Sequence, residues 1–479
     1  MRAIAIMNEG EPGMTTHNQT RTNFFTYILQ PWIICLTGML FYCFNYFLRS
    51  SPSVMQSDLI QSLHISATQF GTLISFYYFA YTPMQIPAGM IYDKFGPRFV
   101  LFFACLIAVI GLATFISADS FGLACAGRFL IGLGTAFAYI GVLKLASIWL
   151  PASRFAAVAG LTTAIGMSSG ALSQKYLAKV VEVVGYKSIL QTVLIIGIML
   201  SLLILLTLKN RPKQGVNSMR TIHAPLSMKQ LFSALRVMFT NPQMWLIGTI
   251  GCVLYLPSIV FLDVYGISYF KDAHQMTAQQ AANVSALTFL GWIIGGPVIG
   301  IISDKIKRRR LPLIITSGIT ALLLYVIFYY PDLTLNQLSL IAFIVGICCG
   351  AHPLCFALGK ENNETQLAGT SVAVTNMFIM LGGMIFPPIV GKLLDLHTTS
   401  SLINGLHVYT TDDYTFALSI IPFGIVVGTV LSMFLKETYC GSQATAAEVA
   451  RAKLNKNRSR AFVPSFLFNI FNPKRPENG

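Results

Sequence analysis

Charged residues are scarce in this chain of 479 residues. Asp, Glu, Lys and Arg together make up 11% of it, whereas apolar residues make up 54%. Soluble domains carry about 25% charged residues, so a soluble globular protein is excluded. The sequence also lacks a phosphate-binding Gly-x-x-x-x-Gly-Lys-Ser/Thr loop, a His-Glu-x-x-His pair and a soluble region large enough for a catalytic domain. We therefore predict a protein that is not an enzyme and has no cofactor or metal.

Cysteine is present, but not in a pattern that predicts disulfides or a metal site. Of the nine cysteines, eight lie within hydrophobic runs, where they act as small apolar residues. The net charge of +15 does not indicate a nucleic-acid partner, because the basic residues lie beside those runs. The composition thus predicts a protein whose main solvent is the lipid bilayer.

Twelve hydrophobic runs are long enough to cross the hydrocarbon core of a membrane. They cover residues 29–52, 67–91, 98–117, 122–148, 155–179, 187–208, 242–267, 279–302, 311–329, 337–359, 365–392 and 414–435. The first run is preceded by a polar segment and has no cleavage site for a signal peptide. The predicted fold class is an all-α membrane protein with twelve transmembrane helices.

The distribution of Lys and Arg predicts the orientation. If the amino terminus is cytoplasmic, 25 of the 33 basic residues fall on the cytoplasmic side, as cytoplasmic loops require. Both termini are then cytoplasmic, and short loops on the other side favour a bacterial inner membrane over an endomembrane. The predicted domains are a tail (1–28), a six-helix bundle (29–208), a basic linker (209–241), a second six-helix bundle (242–437) and a tail (438–479).

The two bundles are related by an internal repeat. The segment that begins at Ser66 matches the one that begins at Thr277, 211 positions later, and Gly89, Asp93, Lys94 and Arg98 match Gly300, Asp304, Lys305 and Arg309 at that same offset. One constant offset over more than thirty residues indicates a duplication. Such repeats are typical of transporters that bind substrate between their halves at mid-membrane.

The segment from Gly89 to Arg98 reads G-x-x-x-D-K-x-G-x-R and resembles the signature loop of the major facilitator superfamily. The resemblance covers nearly all of residues 29–437 and implies the major facilitator fold. It also implies that the loop and its echo form a gate, whose residues are Gly89, Asp93, Lys94, Arg98, Asp304 and Arg309. Gly89 would allow close helix approach. The simpler interpretation is that these charges only set the topology.

A charge inside a span is costly, so Arg49 in the first span is the main candidate for substrate contact. Tyr46 and Tyr42 precede it by three and seven residues, which places all three on one helical face. A guanidinium beside phenol hydroxyls suits a carboxylate or phosphate. The Tyr-x-x-x-Tyr-x-x-Arg arrangement resembles the organic anion:cation symporter and organophosphate antiporter branch, as do Tyr81 and Gln85. The alternative is that Arg49 extends to the outer interface.

Three further ionisable residues in the spans are candidates for a functional role. Arg128 either completes the anion pocket or extends outward. Asp263 and His352 are candidates for proton coupling, although Asp263 could instead lie at the outer interface and His352 could be a packing residue. The branch often has a glutamate where this chain has Thr135, and residues 242–267 contain no second arginine. The first difference argues against a proton relay at Thr135, and the second favours carboxylates, amino acids or peptides over phosphate esters.

The sequence therefore predicts a secondary active transporter of a small organic anion or zwitterion, working by alternating access. Symport with a proton or sodium ion is expected, as is a monomer. An efflux antiporter is the first alternative, although the fifth span (155–179) lacks the proline that drug antiporters carry. A receptor or sensor that does not transport, built on the same fold, is the second.

Overall fold

A computed structural model describes residues 29–210, 228–330, 332–364, 367–398 and 409–441. Within these ranges every regular element is helical. The predicted tails at 1–28 and beyond 441, and linker residues 211–227, lie outside the described residues. We refer to residues 29–210 as the first half and to residues 228–441 as the second half.

The first half contains nine α-helices. They are α1 (Gln30–Ser50), α2 (Gln56–Leu63), α3 (Ala67–Met84), α4 (Ala88–Phe95), α5 (Pro97–Ile116), α6 (Phe121–Thr135), α7 (Ala138–Trp149), α8 (Ala152–Val184) and α9 (Tyr186–Thr207). A 3₁₀ turn, Ser51–Ser53, follows α1.

The second half contains ten α-helices among the described residues. They are α10 (Met228–Thr240), α11 (Pro242–Leu256), α12 (Gly266–Ala273), α13 (Ala278–Ile306), α14 (Arg310–Tyr329), α15 (Leu335–Cys349), α16 (Leu354–Glu361), α17 (Ala368–His397), α18 (Thr411–Leu418) and α19 (Ile420–Ser432). A π-helical stretch, Pro257–Tyr265, joins α11 to α12. Helix α10 lies within the segment that we predicted as a linker.

Ten of the helical stretches are long and apolar enough to cross a membrane. The two further predicted spans, 67–91 and 155–179, coincide with α3–α4 and α8, where Ser, Thr and Gln interrupt the apolar runs. The structure is thus consistent with twelve spans. Both of these more polar helices contact the other half of the protein.

Matching capping boxes begin equivalent helices in the two halves. Ser66 accepts a hydrogen bond from the Gln69 backbone at the start of α3, and Thr277 accepts one from the Gln280 backbone at the start of α13. In each box the glutamine side chain bonds back to the cap residue, so two unpaired helix-end groups are satisfied. These starts lie at the offset of 211 residues that the sequence repeat predicts.

The halves meet through two helix pairs, α3 with α17 and α8 with α13. Because successive spans alternate in direction, loop residues fall on two faces. We call the face that holds Arg98, Lys144 and Arg309 the basic face, and the face that holds Thr68 and Asp395 the opposite face. Near the opposite face, glycines bring the backbones of the two halves into direct contact.

Candidate functional site

Arg49 lies near the end of α1 and is 5% exposed, in a contact between the halves. Its Nη2 is 3.1 Å from Oδ2 of Asp263, which is 1% exposed. The same nitrogen donates a hydrogen bond of 3.1 Å to the Tyr255 hydroxyl. Asp263 belongs to the π-helical stretch and Tyr255 to α11, so one guanidinium of the first half binds two residues of the second.

Aromatic rings enclose this ion pair. The Arg49 Cζ lies 4.1 Å from the Tyr46 ring centroid, a cation–π distance. On the other side, the His352 ring stacks on Tyr255 at 4.6 Å and Trp292 packs edge-on to Tyr255 at 5.6 Å. The charges therefore lie in an environment of low polarity, where electrostatic interactions are stronger than in water.

The ion pair has unused hydrogen-bonding capacity. Nε of Arg49 and both carboxylate oxygens of Asp263 form no well-aligned hydrogen bond with any described residue. Nε2 of His352, which is 6% exposed, is also without one among the described residues. Buried polar groups are normally satisfied, so these atoms indicate a place where a polar ligand or water could bind.

Of the other residues predicted to contact substrate, Tyr42 lies beside Tyr46, whereas Tyr81 and Gln85 lie further along α3 towards the basic face. Tyr42 packs against Tyr46 at 5.4 Å and is 9% exposed. Tyr81 is 7% exposed. Gln85 donates to the Tyr81 carbonyl at 3.3 Å and accepts a 2.8 Å hydrogen bond from Asn376. That last bond connects α17 to the α3–α4 junction, so Gln85 also joins the halves.

Gly166 in α8 makes room for the two tyrosines. A Cβ at this position would lie 2.5 Å from Cε1 of Tyr42 and 2.8 Å from Cδ2 of Tyr46. Only a glycine fits beside these rings without displacing them. The packing of α8 against α1 is thus part of the arrangement around Arg49.

Arg128 does not extend outward. It is 1% exposed, and its Nη1 donates a 2.9 Å hydrogen bond to the Leu48 carbonyl of α1. The alternative of an interfacial Arg128 is therefore wrong. Arg49 and Asp263 are also buried, between the halves, so neither side chain extends outward.

On the basic face, Asp93 forms an ion pair with Lys144, and about 30% of each side chain is exposed. Lys94 lies 5.2 Å from the Phe95 ring centroid, and Arg98 donates to the Leu205 carbonyl. Each of these contacts joins residues of the first half. The close helix approach predicted at Gly89 is absent from this conformation, because a Cβ there would meet no atom within 4 Å.

The equivalent loop of the second half, around Arg309, forms more ion pairs and hydrogen bonds than the loop of Asp93. Arg309 binds Asp304 at 2.6 Å and Glu361 at 2.9 Å. Glu437 accepts hydrogen bonds from the backbone nitrogens of Arg309 and Arg310. Burial lowers the pKa of Arg309, but its hydrogen bonds to Glu361 and Asp304 outweigh burial and raise that pKa above its ordinary value. The two glutamates were not predicted, because their partners come from distant segments.

The opposite face is closed by Asp395 at the end of α17. Its carboxylate accepts hydrogen bonds from the Thr68 backbone at 2.9 Å, from the Thr68 hydroxyl at 2.5 Å and from the Tyr409 hydroxyl at 2.6 Å. Asp395 therefore caps the first turn of α3 from the other half of the protein. The sequence gave no sign of this contact, because Thr68 and Asp395 are 327 positions apart in the chain.

Glycine contacts seal the same face. A Cβ at Gly71 would lie 2.2 Å from the Pro387 carbonyl oxygen, and a Cβ at Gly391 would lie 2.2 Å from the Ala67 carbonyl oxygen. Such distances leave no room for any other residue. The halves are thus in contact at the opposite face, where backbone meets backbone.

Gly71→Val is expected to hold the opposite face open. Its side chain would overlap the Pro387 carbonyl, and overpacking of this kind costs about 1–3 kcal/mol, roughly tenfold or more in the ratio of closed to open protein. The measurement is the rate at which a membrane-impermeant maleimide labels a cysteine introduced at the buried position Gln174. Gly318→Val is the control, because a Cβ at Gly318 meets nothing within 4 Å. Equal labelling rates in the two variants would contradict the closure.

The sequence model of the Major Facilitator Superfamily matches residues 38–387, well over half of the chain. The chain therefore belongs to this family of membrane transporters and is not an enzyme.

Relatives with similar sequences are named as transporters of organic acids. The "Probable galactarate/D-glucarate transporter GudP" of Escherichia coli (strain K12) is 24% identical over 435 residues, which cover 85% of this chain and 95% of that protein. The "Probable sulfoacetate transporter SauU" of Cupriavidus necator is 22% identical, over 74% of this chain and 86% of that protein. The "Hexuronate transporter" of Bacillus subtilis (strain 168) is 21% identical, over 77% and 90%. These relatives confirm the resemblance to the organic-anion branch.

Solved structures share the fold. A bacterial homolog of the human lysosomal transporter Spinster, in an inward-facing and unoccupied conformation, aligns with a TM-score of 0.69 at 16% identity, over 85% of this chain and 97% of that one. A mutant of the nucleoside transporter NupG aligns with a TM-score of 0.65 at 13% identity, over 85% and 99%. The predicted all-α membrane fold of the major facilitator type is confirmed.

Proposed function

We propose that the protein is a secondary active transporter that moves a small organic anion by alternating access, with the substrate carboxylate bound to Arg49. The observation that carries this proposal is the buried pair of Arg49 with Asp263, which lies between the halves and has unpaired polar atoms on both partners. A guanidinium can bind a carboxylate through two parallel hydrogen bonds. The descriptions of the relatives, which name sugar acids and sulfoacetate, support a carboxylate or sulfonate as the bound group.

The charges of Arg49 and Asp263 indicate which ion is coupled to transport. The pair of Arg49 and Asp263 is neutral as a unit, so an entering anion would leave the buried Asp263 charge without a partner. An uncompensated buried charge is strongly unfavourable, and a proton taken up by Asp263 removes it. We therefore propose proton symport, with Asp263 as the proton acceptor. His352, which stacks on the Tyr255 ring, is a second titratable group in the same enclosure.

The orientation follows from charge. The basic face would be cytoplasmic, with both termini on that side, in a bacterial inner membrane. Contacts of Asp395 and Gly71 at the opposite face would then close the protein to the periplasm. In the outward-open state the loops that contain Asp93 and Asp304 would meet across the halves. Their partners Lys144 and Arg309 would help to hold that closure, so these loops act as the gate.

A zwitterion is the second candidate substrate, because the site holds charges of both signs. The carboxylate of an amino acid or peptide would bind Arg49 and its ammonium group would bind Asp263. Two new ion pairs would then replace the internal one, and no proton would be needed. The aromatic rings of Tyr46 and Tyr255 would also favour an ammonium group.

The test uses purified protein in liposomes that contain a pH-sensitive dye. An acidic exterior is expected to drive accumulation of D-glucarate, galactarate, a hexuronate or sulfoacetate, and anion entry without an imposed gradient is expected to acidify the interior. Amino acids and dipeptides form the second panel, and their accumulation without proton movement would favour the zwitterion. Accumulation driven by a sodium gradient alone would show that the coupling ion is sodium and not the proton.

Two outcomes would overturn the proposal. Substrate movement in exchange for protons, with export of unrelated toxic compounds and no anion uptake, would identify an efflux antiporter. Thermal stabilisation by an anion without any flux would instead identify a receptor or sensor, because binding stabilises the folded protein whether or not transport follows.

A further inference from the structure

The end of α1 carries a carbonyl that its own helix cannot satisfy. In an α-helix the carbonyl of each residue accepts from the N–H four residues later. Four residues after Leu48 is Pro52, which has no N–H. Helix α1 accordingly ends at Ser50 and continues as a 3₁₀ turn. The Leu48 carbonyl, one residue before Arg49, therefore needs a donor from another part of the chain.

Arg128 of α6 supplies this donor. Its Nη1 lies 2.9 Å from the Leu48 oxygen, and both groups are buried. The Arg128 Cζ lies 5.2 Å from the Tyr77 ring centroid, while its Nε and Nη2 form no hydrogen bond to any described residue. The bond to Leu48 thus holds a fully buried cation in a defined place.

Tyr77 fixes the helices around this bond. Its hydroxyl donates to Oδ1 of Asn45 in α1 at 2.6 Å and accepts from Thr135 of α6 at 3.1 Å. A Cβ at Gly132 of α6 would lie 2.0 Å from the Tyr77 carbonyl oxygen, so α3 and α6 are in direct contact there. Helices α1, α3 and α6 are therefore joined by polar bonds immediately beside Leu48 and Arg49.

The same arrangement occurs at a second proline. Pro387 leaves the Gly383 carbonyl of α17 without a helical donor, and the Ser75 hydroxyl of α3 donates to that oxygen at 3.1 Å. In this second case too, a side chain of another helix satisfies a carbonyl that a proline leaves free. It supports the interpretation of the Arg128 bond as a built feature of the fold.

We propose that Arg128 is a positioning residue for Arg49. Arg128 donates to the Leu48 carbonyl, which Pro52 leaves without a helical partner, and so fixes the backbone at Leu48. This fixes the position of the neighbouring Arg49 Cα, from which the Arg49 side chain extends. This inference rests on the proposed function of Arg49. It differs from the prediction that Arg128 contacts the substrate directly, and the two assignments give opposite results in a rescue experiment.

The experiment is a double-mutant cycle of Arg128→Met and Pro52→Ala. Arg128→Met removes the donor, and we expect it to raise the KM for the transported anion about tenfold or more, since a hydrogen bond from a charged donor is lost. Pro52→Ala restores a backbone N–H that can donate to Leu48. In the Arg128→Met background it is expected to bring KM back to within about threefold of the parent, because the replacement bond is neutral and weaker.

Pro297→Ala in the same background is the matched control. Pro297 also interrupts the hydrogen bonds of a long helix, α13, but far from Leu48 in the chain, so no rescue of KM is expected. If Pro52→Ala and Arg128→Met raise KM additively, the positioning role is overturned and direct contact of Arg128 with substrate is favoured.

The melting temperature of the detergent-purified variants separates this proposal from the proposed function. Arg128→Met is expected to lower the melting temperature, and Pro52→Ala, but not Pro297→Ala, is expected to recover part of the loss. If Pro52→Ala recovers the melting temperature of Arg128→Met but the protein transports none of the anions tested, the proposed function is overturned. The bond from Arg128 to Leu48 is then still established. Additive changes in melting temperature would overturn the inference itself.

Discussion

Arg49→Ala is expected to abolish anion uptake, with a loss of about 100-fold or more in transport rate at low substrate concentration. The reason is that both hydrogen bonds of the guanidinium to a carboxylate disappear, each worth about 1.5–3 kcal/mol when one partner is charged. The measurement is initial uptake of radiolabelled D-glucarate or sulfoacetate into liposomes, normalised to the folded protein present.

The variant also leaves Asp263 buried without its partner, which costs about 3–5 kcal/mol when the carboxylate stays charged. The double variant Arg49→Ala with Asp263→Asn removes both charges and serves as the control for folding. Its melting temperature is expected to recover toward that of the parent while uptake stays absent. Uptake at the parental rate in Arg49→Ala would show that the substrate carboxylate binds elsewhere.

Asp263→Asn is expected to uncouple transport from the proton gradient. The amide cannot take up and release a proton, so accumulation against a gradient should fall about tenfold or more, while exchange of labelled for unlabelled anion across the membrane continues. Because Arg49 loses its internal competitor, the affinity for the anion is expected to stay equal or to increase. Exchange and gradient-driven accumulation are measured in the same liposomes at two external pH values, about 5.5 and about 7.5. These lie about one pH unit below and above the ordinary pKa of a histidine side chain.

Asp58→Asn is the matched control, since Asp58 is an acidic residue of the short helix α2, outside the spans, and its charge interacts with Lys271. It should accumulate substrate like the parent. For a zwitterionic substrate the Asp263→Asn variant would behave differently, because binding itself would be lost and exchange would stop. Parental accumulation in Asp263→Asn would remove this residue from the coupling mechanism.

Hydropathy and the repeat predicted apolar helices in two duplicated bundles, and the resemblance of the Gly89–Arg98 segment implied the major facilitator fold. The bilayer requires long apolar helices, and a constant offset of 211 residues identifies the duplicated halves. The shared face of Tyr42, Tyr46 and Arg49 follows from helical periodicity and is present in the structure. These features depend only on local sequence, so they can be derived without knowing how the helices pack.

The partners of these residues could not be derived in the same way. Arg49 and Asp263 are 214 positions apart in the chain, and their contact depends on how the halves meet. Tyr255 gave no signal, because a tyrosine in an apolar run is usually part of the core. The predicted approach at Gly89 is absent in this conformation, where the contacts named for this loop among the described residues lie within its own half. The sequence does not specify how the two halves pack against each other, and alternating access requires them to pack in two ways.

The seal at the opposite face is made by glycine backbones and by a carboxylate that binds uncharged donors, Thr68 and Tyr409. None of these named contacts joins two full charges of opposite sign, in contrast to the loops of Asp93 and Arg309. Dissolved salt screens attraction between exposed charges over about 8 Å at physiological ionic strength and leaves steric contact unaffected. If the loops of Asp93 and Arg309 close the basic face as proposed, ionic strength would weaken that closure, whereas a change in side-chain size or a lost hydrogen bond would weaken the contacts named at the opposite face.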